Sequence, residues 1–306
     1  TLKSKFYKEE KFNPKTYLAD ADLVIVHEWN QHDIVKKIGD YRKDNPHFKL
    51  LFHDTHHRAV TDVASMSAYD LSNYDGVLAY GRVIRDIYIT KGWAPKAWTW
   101  HEAADTSVFF PRNAQKEGDL VWIGNWGDDE RTAELHEYLI TPVKELKLKA
   151  TVYGVRYPKE AIKALKDAGI KYGGWLPNHK APEVFAQYHV TVHVPRRPYV
   201  KALPGIPTIR PFEAMACGIP LISAPWHDAE QLFTKQDLLW INSGEEMKNA
   251  LQLLLANKEL ANTYAKHALK TIHAKHTCAH RVDQLLEICS LIDQAINKQE
   301  ASLINN

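Results

Sequence analysis

The chain has 306 residues, 45% of them hydrophobic and 25% charged, with a formal net charge of +2. That is an ordinary globular balance for about two domains. It excludes a general polyanion-binding surface and argues against a nucleic-acid partner. No apolar run approaches the roughly 20 residues that cross a bilayer, which leaves peripheral membrane contact open. Each of the three cysteines, Cys217, Cys278 and Cys289, falls in a helical pattern, so a reduced, cytoplasmic protein is the simplest expectation.

In chain order, a polar opening from Thr1 precedes short apolar runs at 22–28, 49–54, 76–81 and 97–102. A second set follows at 119–124, 149–155, 170–176, 190–195, 220–225 and 238–242. Nearly continuous hydrophobic runs suit strands buried on both faces of a parallel sheet. The segments between them read as helices. "DERTAELHEYLITPVKELK" is one, and "PKEAIKALKDAG" has proline at its start and glycine at its end. The tail from Gly244 to about Lys298 is nearly all helical in pattern. The expected fold is therefore α/β, with two doubly wound, Rossmann-like units. The polar stretch 105–119 suggests a division into 1–110 and 111–306. With only about four strands before that linker, the first unit is expected to lack its opening part. Ligands of such folds bind at the carboxyl ends of the strands, so the loops there are the places to search.

In the second half, "PGIPTIRPFEAMACGIPLISAP" (204–225) is the most informative stretch. Thr208 is expected to cap a short helix, with Pro211 tolerated in its first turn. The helix N-terminus, with Arg210 nearby, offers free N–H groups and positive potential to an anion. Gly205 lets backbone approach a phosphate, with Ile206 beside it. Glu213 lies about one turn in, misplaced for a phosphate but suited to a ribose diol. "GNWGDDER" (124–131) follows the first strand of this unit, so Gly124 and Asn125 could form a phosphate-side turn; a glycine-rich strand–helix turn also needs no ligand. Arg131, Arg156 and Arg196 fall at carboxyl-end loops. One or two of them could neutralise the charge that grows on a pyrophosphate leaving group, although each alone also reads as a surface charge. Trp175 could flank a base or simply pack.

These segments carry a resemblance. "FEAMACGIPLISAP" is similar to the donor-binding motif E-A-M-A-x-G-x-P-V-V of group 1 glycosyltransferases of the GT-B fold. "HEAADTSVFFP" (101–111) resembles their interdomain stretch N-G-V-D-T-x-x-F-x-P. "IKYGGWLPNHKAPEVFAQYHVTVHVP" resembles the unit that holds the nucleobase, which directs attention to Gly174, Trp175 and Leu176. In order, these cover residues 97 to 242, and the "HD" and "FEAMACG" segments look most like the CgeB-like subgroup. The resemblance implies a two-domain GT-B-like fold and transfer of a sugar from a nucleotide-diphosphate sugar, UDP- or GDP-linked. It also implies retention of configuration, no metal, and ribose binding by Glu213. The acceptor stays open among glycan, lipid and small molecule. One departure matters: the family's acidic sugar contact, eight positions before the ribose Glu, is Gly205 here. A non-catalytic nucleotide-sugar-binding protein and a sugar-nucleotide epimerase remain alternatives.

The first half supplies "LLFHDTHH" (50–57). His53, Asp54, His56 and His57 close an apolar strand, and imidazoles there can act as acids, bases or partners of sugar hydroxyls. Asp54 could instead cap the following helix, and His56 and His57 read as the more exposed pair. Their spacing matches no standard metal site.

Overall fold

The computed structural model describes residues 3–304. The chain forms two compact units, Thr1–His101 with Val282–Asn306, and Glu102–Arg281.

The first unit holds a four-stranded parallel sheet: β1 (Leu23–His27), β2 (Lys49–Asp54), β3 (Gly76–Ala79) and β4 (Ala97–Thr99), in that order. The apolar centre of β2 is fully buried at Leu50, Leu51 and Phe52, as a strand covered on both faces requires. One cover is the last helix, Cys278–Ile304, whose Ile288 and Ile292 pack with Leu51 and Leu78. Lys49 pairs with Asp293 at 2.7 Å along the same seam.

The second unit holds six parallel strands: β5 (Gly118–Ile123), β6 (Ala150–Tyr153), β7 (Lys171–Tyr172), β8 (Tyr188–His193), β9 (Leu221–Ser223) and β10 (Leu239–Trp240). Their spatial order is β10-β9-β8-β5-β6-β7. Alternate residues of β5 serve opposite layers: Leu120 and Trp122 enter one apolar cluster, Val121 and Ile123 the other. The order reverses between β5 and β8. That switch point opens a crevice at their carboxyl ends.

Three expectations change. The division falls at His101/Glu102 rather than near residue 110, because Ala104 bridges Thr277 and Phe109 is buried in the second unit's core. The end of the tail, from Val282, belongs with the first unit. The helix expected after β5 is broken into Thr132–Leu135, a π turn at His136–Ile140, and Thr141–Leu146. Pro142, with no N–H to donate, sits just after the π turn. Among the described residues no helix is long and apolar enough to cross a membrane.

Candidate functional site

The loop that leaves β8 leads to the helix Ile209–Ala216, which is buried along its length from Pro211 to Ala216. Its entry is unusual. Gly205 has φ +91° and Thr208 has φ +64°, ψ 174°. A β-branched residue is rarely found there. Thr208 makes no side-chain capping bond, contrary to expectation, because its backbone lies outside the extended region from which a cap oxygen reaches the first-turn amides. Ile206 is buried, and Gly205 N–H donates to His227 O at 2.8 Å. A Cβ on Gly205 would lie 2.9 Å from Glu230 Oε1. A carboxylate therefore stands against the position where the family motif carries its own acid.

One turn in, Glu213 is buried, with its carboxylate held from two sides. Asn178 Nδ2 donates to Oε1 at 2.7 Å, and Arg210 Nη1 donates to Oε2 at 2.6 Å. Arg210 also donates to Asn178 Oδ1 at 3.1 Å. Each carboxylate oxygen keeps a second lone-pair site, so a pair of hydroxyls can still be accepted. Burial raises the Glu213 pKa, while Arg210 and Asn178 oppose the rise. Glu102 is the second carboxyl of this cluster. Its Oε2 is buried without a hydrogen-bond partner among the described residues. Burial, then the charge of Glu213, pushes it up to about 8, with Arg210 opposing. Cys217, at the helix end, is buried, and burial pushes its thiol up to about 12, which suits packing rather than nucleophilic chemistry.

The other candidates divide. Asn125 uses Oδ1 to accept from Val155 N–H at 3.0 Å, and Gly124 O accepts from Tyr157 OH at 2.9 Å, so this turn is already tied to the β6 loop. Arg131 is occupied too. It donates to Val194 O at 2.9 Å, to Trp126 O at 3.2 Å and to Asn125 O, and lies over the Trp122 ring. It staples the loops after β5 and β8 together, rather than standing as a free cation. Arg196 donates to Glu130 at 3.1 Å. Arg156 is exposed, has no ion-pair partner among the described residues, and lines a recess of about 880 Å³ with Trp126, Asp129, His136 and Tyr157. Gly174 has φ +72° with open space around its Cβ direction. Trp175 is 71% exposed, and Leu176 packs against the core. Sequence reasoning missed Asn178 and Glu230. The only signal for Asn178 was its place directly after the Gly174–Pro177 loop.

The first unit's cluster is less open than expected. Asp54 is fully buried, accepting from His56 N–H at 3.0 Å and Tyr88 OH at 3.0 Å. It shapes the loop ahead of the helix Arg58–Thr61 rather than capping that helix itself. Burial pushes it up to about 6 despite these donors. His57, expected to be exposed, is buried, with Nδ1 2.8 Å from Thr61 Oγ1. His53 meets Trp100 edge-on at 4.9 Å, and burial, then His27, pushes it down to about 4, so it is neutral at pH 7. His56 is half-buried with its ring edge-on to Trp29 at 5.0 Å. Among the described residues no three His, Cys, Asp or Glu side chains group as a metal site.

A sequence model of the family described as glycosyl transferase-like matches residues 131–287. No curated protein matches the chain in sequence. Among solved structures, sucrose-phosphate synthase from Thermosynechococcus elongatus is similar at 16% identity and a TM-score of 0.67, over 92% of this chain and 76% of that one. Anabaena HepE, solved with UDP and glucose, is similar at 16% identity and a TM-score of 0.64, over 88% and 77%. A glycosyltransferase from Rickettsia africae is similar at 12% identity and a TM-score of 0.59, over 85% and 80%. At these identities the likeness speaks for the fold, and the expected GT-B-like pair of parallel-sheet units holds.

Proposed function

The chain belongs to the glycosyl transferase-like family, and from that premise we propose that it moves a sugar from a UDP-linked donor to an acceptor hydroxyl, with retention and without a metal. The observation that carries this is Glu213. It is a buried carboxylate one turn into a helix that opens near the carboxyl ends of β5 and β8, held by Asn178 and Arg210.

In this scheme Glu213 accepts the two ribose hydroxyls. Gly174, Trp175 and Leu176 lie against the base. The uncapped N–H groups of Ile209 and Arg210 face the diphosphate with the positive end of the helix. Arg156 and Arg196 add positive charge as the glycosidic bond breaks and negative charge moves onto the leaving group. Glu230, set against Gly205, supplies the acidic contact to the donor sugar that the sequence motif lacks. HepE has been solved with UDP-glucose, which supports UDP as the first nucleotide to try. His56, the half-buried imidazole of the first unit, is the candidate contact to the transferred sugar.

Release of UDP from UDP-glucose, UDP-galactose and UDP-N-acetylglucosamine, with and without a chelator, tests the proposal. Turnover of at least one donor, unchanged by the chelator, is expected. Absence of turnover with UDP-, GDP-, dTDP- and ADP-sugars alike, across a broad acceptor panel, would contradict it.

A further inference from the structure

Trp29 follows the carboxyl end of β1 and is 61% exposed. A large aromatic held open at a strand end calls for a reason, since exposure forfeits its burial energy. It is also fixed from several sides. Its backbone N–H donates to His27 Nδ1 at 3.3 Å. The Arg58 guanidinium lies over its ring, 4.5 Å from the centroid, and His56 meets it edge-on. Arg58 is anchored in turn, donating to Glu28 O at 2.6 Å and pairing with the fully buried Glu28 carboxylate. Tyr69 OH holds the same backbone through Glu28 O at 2.6 Å and Asn30 O at 3.0 Å. The platform is therefore preorganised by the Arg58–Glu28 ion pair and by His27, His56 and Tyr69.

Around it lies a recess of about 360 Å³, lined also by Asn30, Gln31, His32, Asp33, Ser65 and Tyr69. Its volume is at the small end for ligand sites, suited to one ring. Its polar groups are amides, hydroxyls, the His32 imidazole, the Asp33 carboxylate and the Arg58 guanidinium. The Arg58 charge is answered by Glu28, so no cation is left over for an anion. The indole face that Arg58 leaves open, beside amides and hydroxyls, fits a pyranose ring, whose C–H face meets the ring while its hydroxyls reach the amides. We propose that this recess binds the acceptor, and that the acceptor is a neutral saccharide whose terminal ring rests on Trp29. The inference rests on the glycosyltransferase reading for its role as an acceptor site, but the binding itself does not require the donor.

The experiment follows tryptophan fluorescence while the full chain is titrated with maltose, cellobiose, lactose and N,N′-diacetylchitobiose, and with glucuronic acid as an anionic control. At least one neutral disaccharide is expected to bind saturably, and more tightly than glucuronic acid. Trp29→Ala should weaken it at least tenfold, Trp29→Phe should restore part of the loss, and UDP affinity should stay unchanged in both. Because removing Trp29 also removes its fluorescence, calorimetry reads the variants. If no neutral saccharide binds, if glucuronic acid binds best, or if Trp29→Ala leaves saccharide affinity intact, the inference is overturned. Saccharide binding without any nucleotide binding would instead contradict the donor proposal and leave the Trp29 site standing.

Discussion

Burial, reinforced by the negative charge of Glu213, pushes the Glu102 carboxyl up to about 8 from an ordinary 4.5. An unfolded chain gives up that proton near 4.5, and the folded one near 8. The stability that comes with the held proton is full below the lower value and lost as pH rises through the upper one. Arg210, on the helix of Glu213, opposes the shift, and Arg281 Nε donates to Glu102's carbonyl at 3.4 Å. Glu102→Gln should remove the dependence. Between about pH 5 and about pH 9 the wild-type melting temperature should fall relative to the variant by several degrees, at about 2–4 °C per kcal/mol. Parallel pH profiles from calorimetry would count against a held proton.

Thr208 occupies a backbone region open mainly to glycine. Thr208→Gly should relieve about 1–3 kcal/mol of strain while adding about 0.5–1 kcal/mol of chain entropy. A net gain of about 1 kcal/mol in urea unfolding is expected. A clear loss would mean that the threonine side chain does something the fold needs.

The histidines after β2 should separate by measurement. His57 is buried and bonded to Thr61, so His57→Ala should cost about 1–3 kcal/mol of stability. His56→Ala should cost less stability and lower the rate of sugar transfer by about 10²-fold or more. Denaturation and transfer assays on the two variants decide this, and the reverse pattern would reassign the roles.

Glu230 approaches Gly205 in space although they lie 25 positions apart in sequence. Glu230→Gln should weaken binding of the UDP-sugar by about tenfold, roughly 1.4 kcal/mol, and leave UDP itself nearly untouched. Equal loss for both ligands in calorimetry would show that Glu230 holds the loop rather than the sugar.

Much of this was legible in the chain alone, for physical reasons. The runs around Leu51 and Val121 are apolar because both faces of their sheets are covered, so strand positions and the parallel class follow from composition. The place of Glu213 in a short helix, Ile209–Ala216, was legible because its motif is local. Asn178, Glu230 and Glu102 were harder, since each reaches the helix Ile209–Ala216 or its entry loop from a loop distant in sequence. The unit boundary was misplaced for the same reason: the bridge from Ala104 to Thr277 spans most of the second unit. The exposure of His57 could not be read from residue type, because a hydroxyl four residues on pairs with its Nδ1.

Titration of the wild-type chain and of Glu213→Ala with UDP by calorimetry tests the central claim most directly. The account predicts saturable binding by the wild type and a loss of more than tenfold, above about 1.4 kcal/mol, in the variant. An unchanged dissociation constant in Glu213→Ala, with the variant folded by circular dichroism, would contradict it.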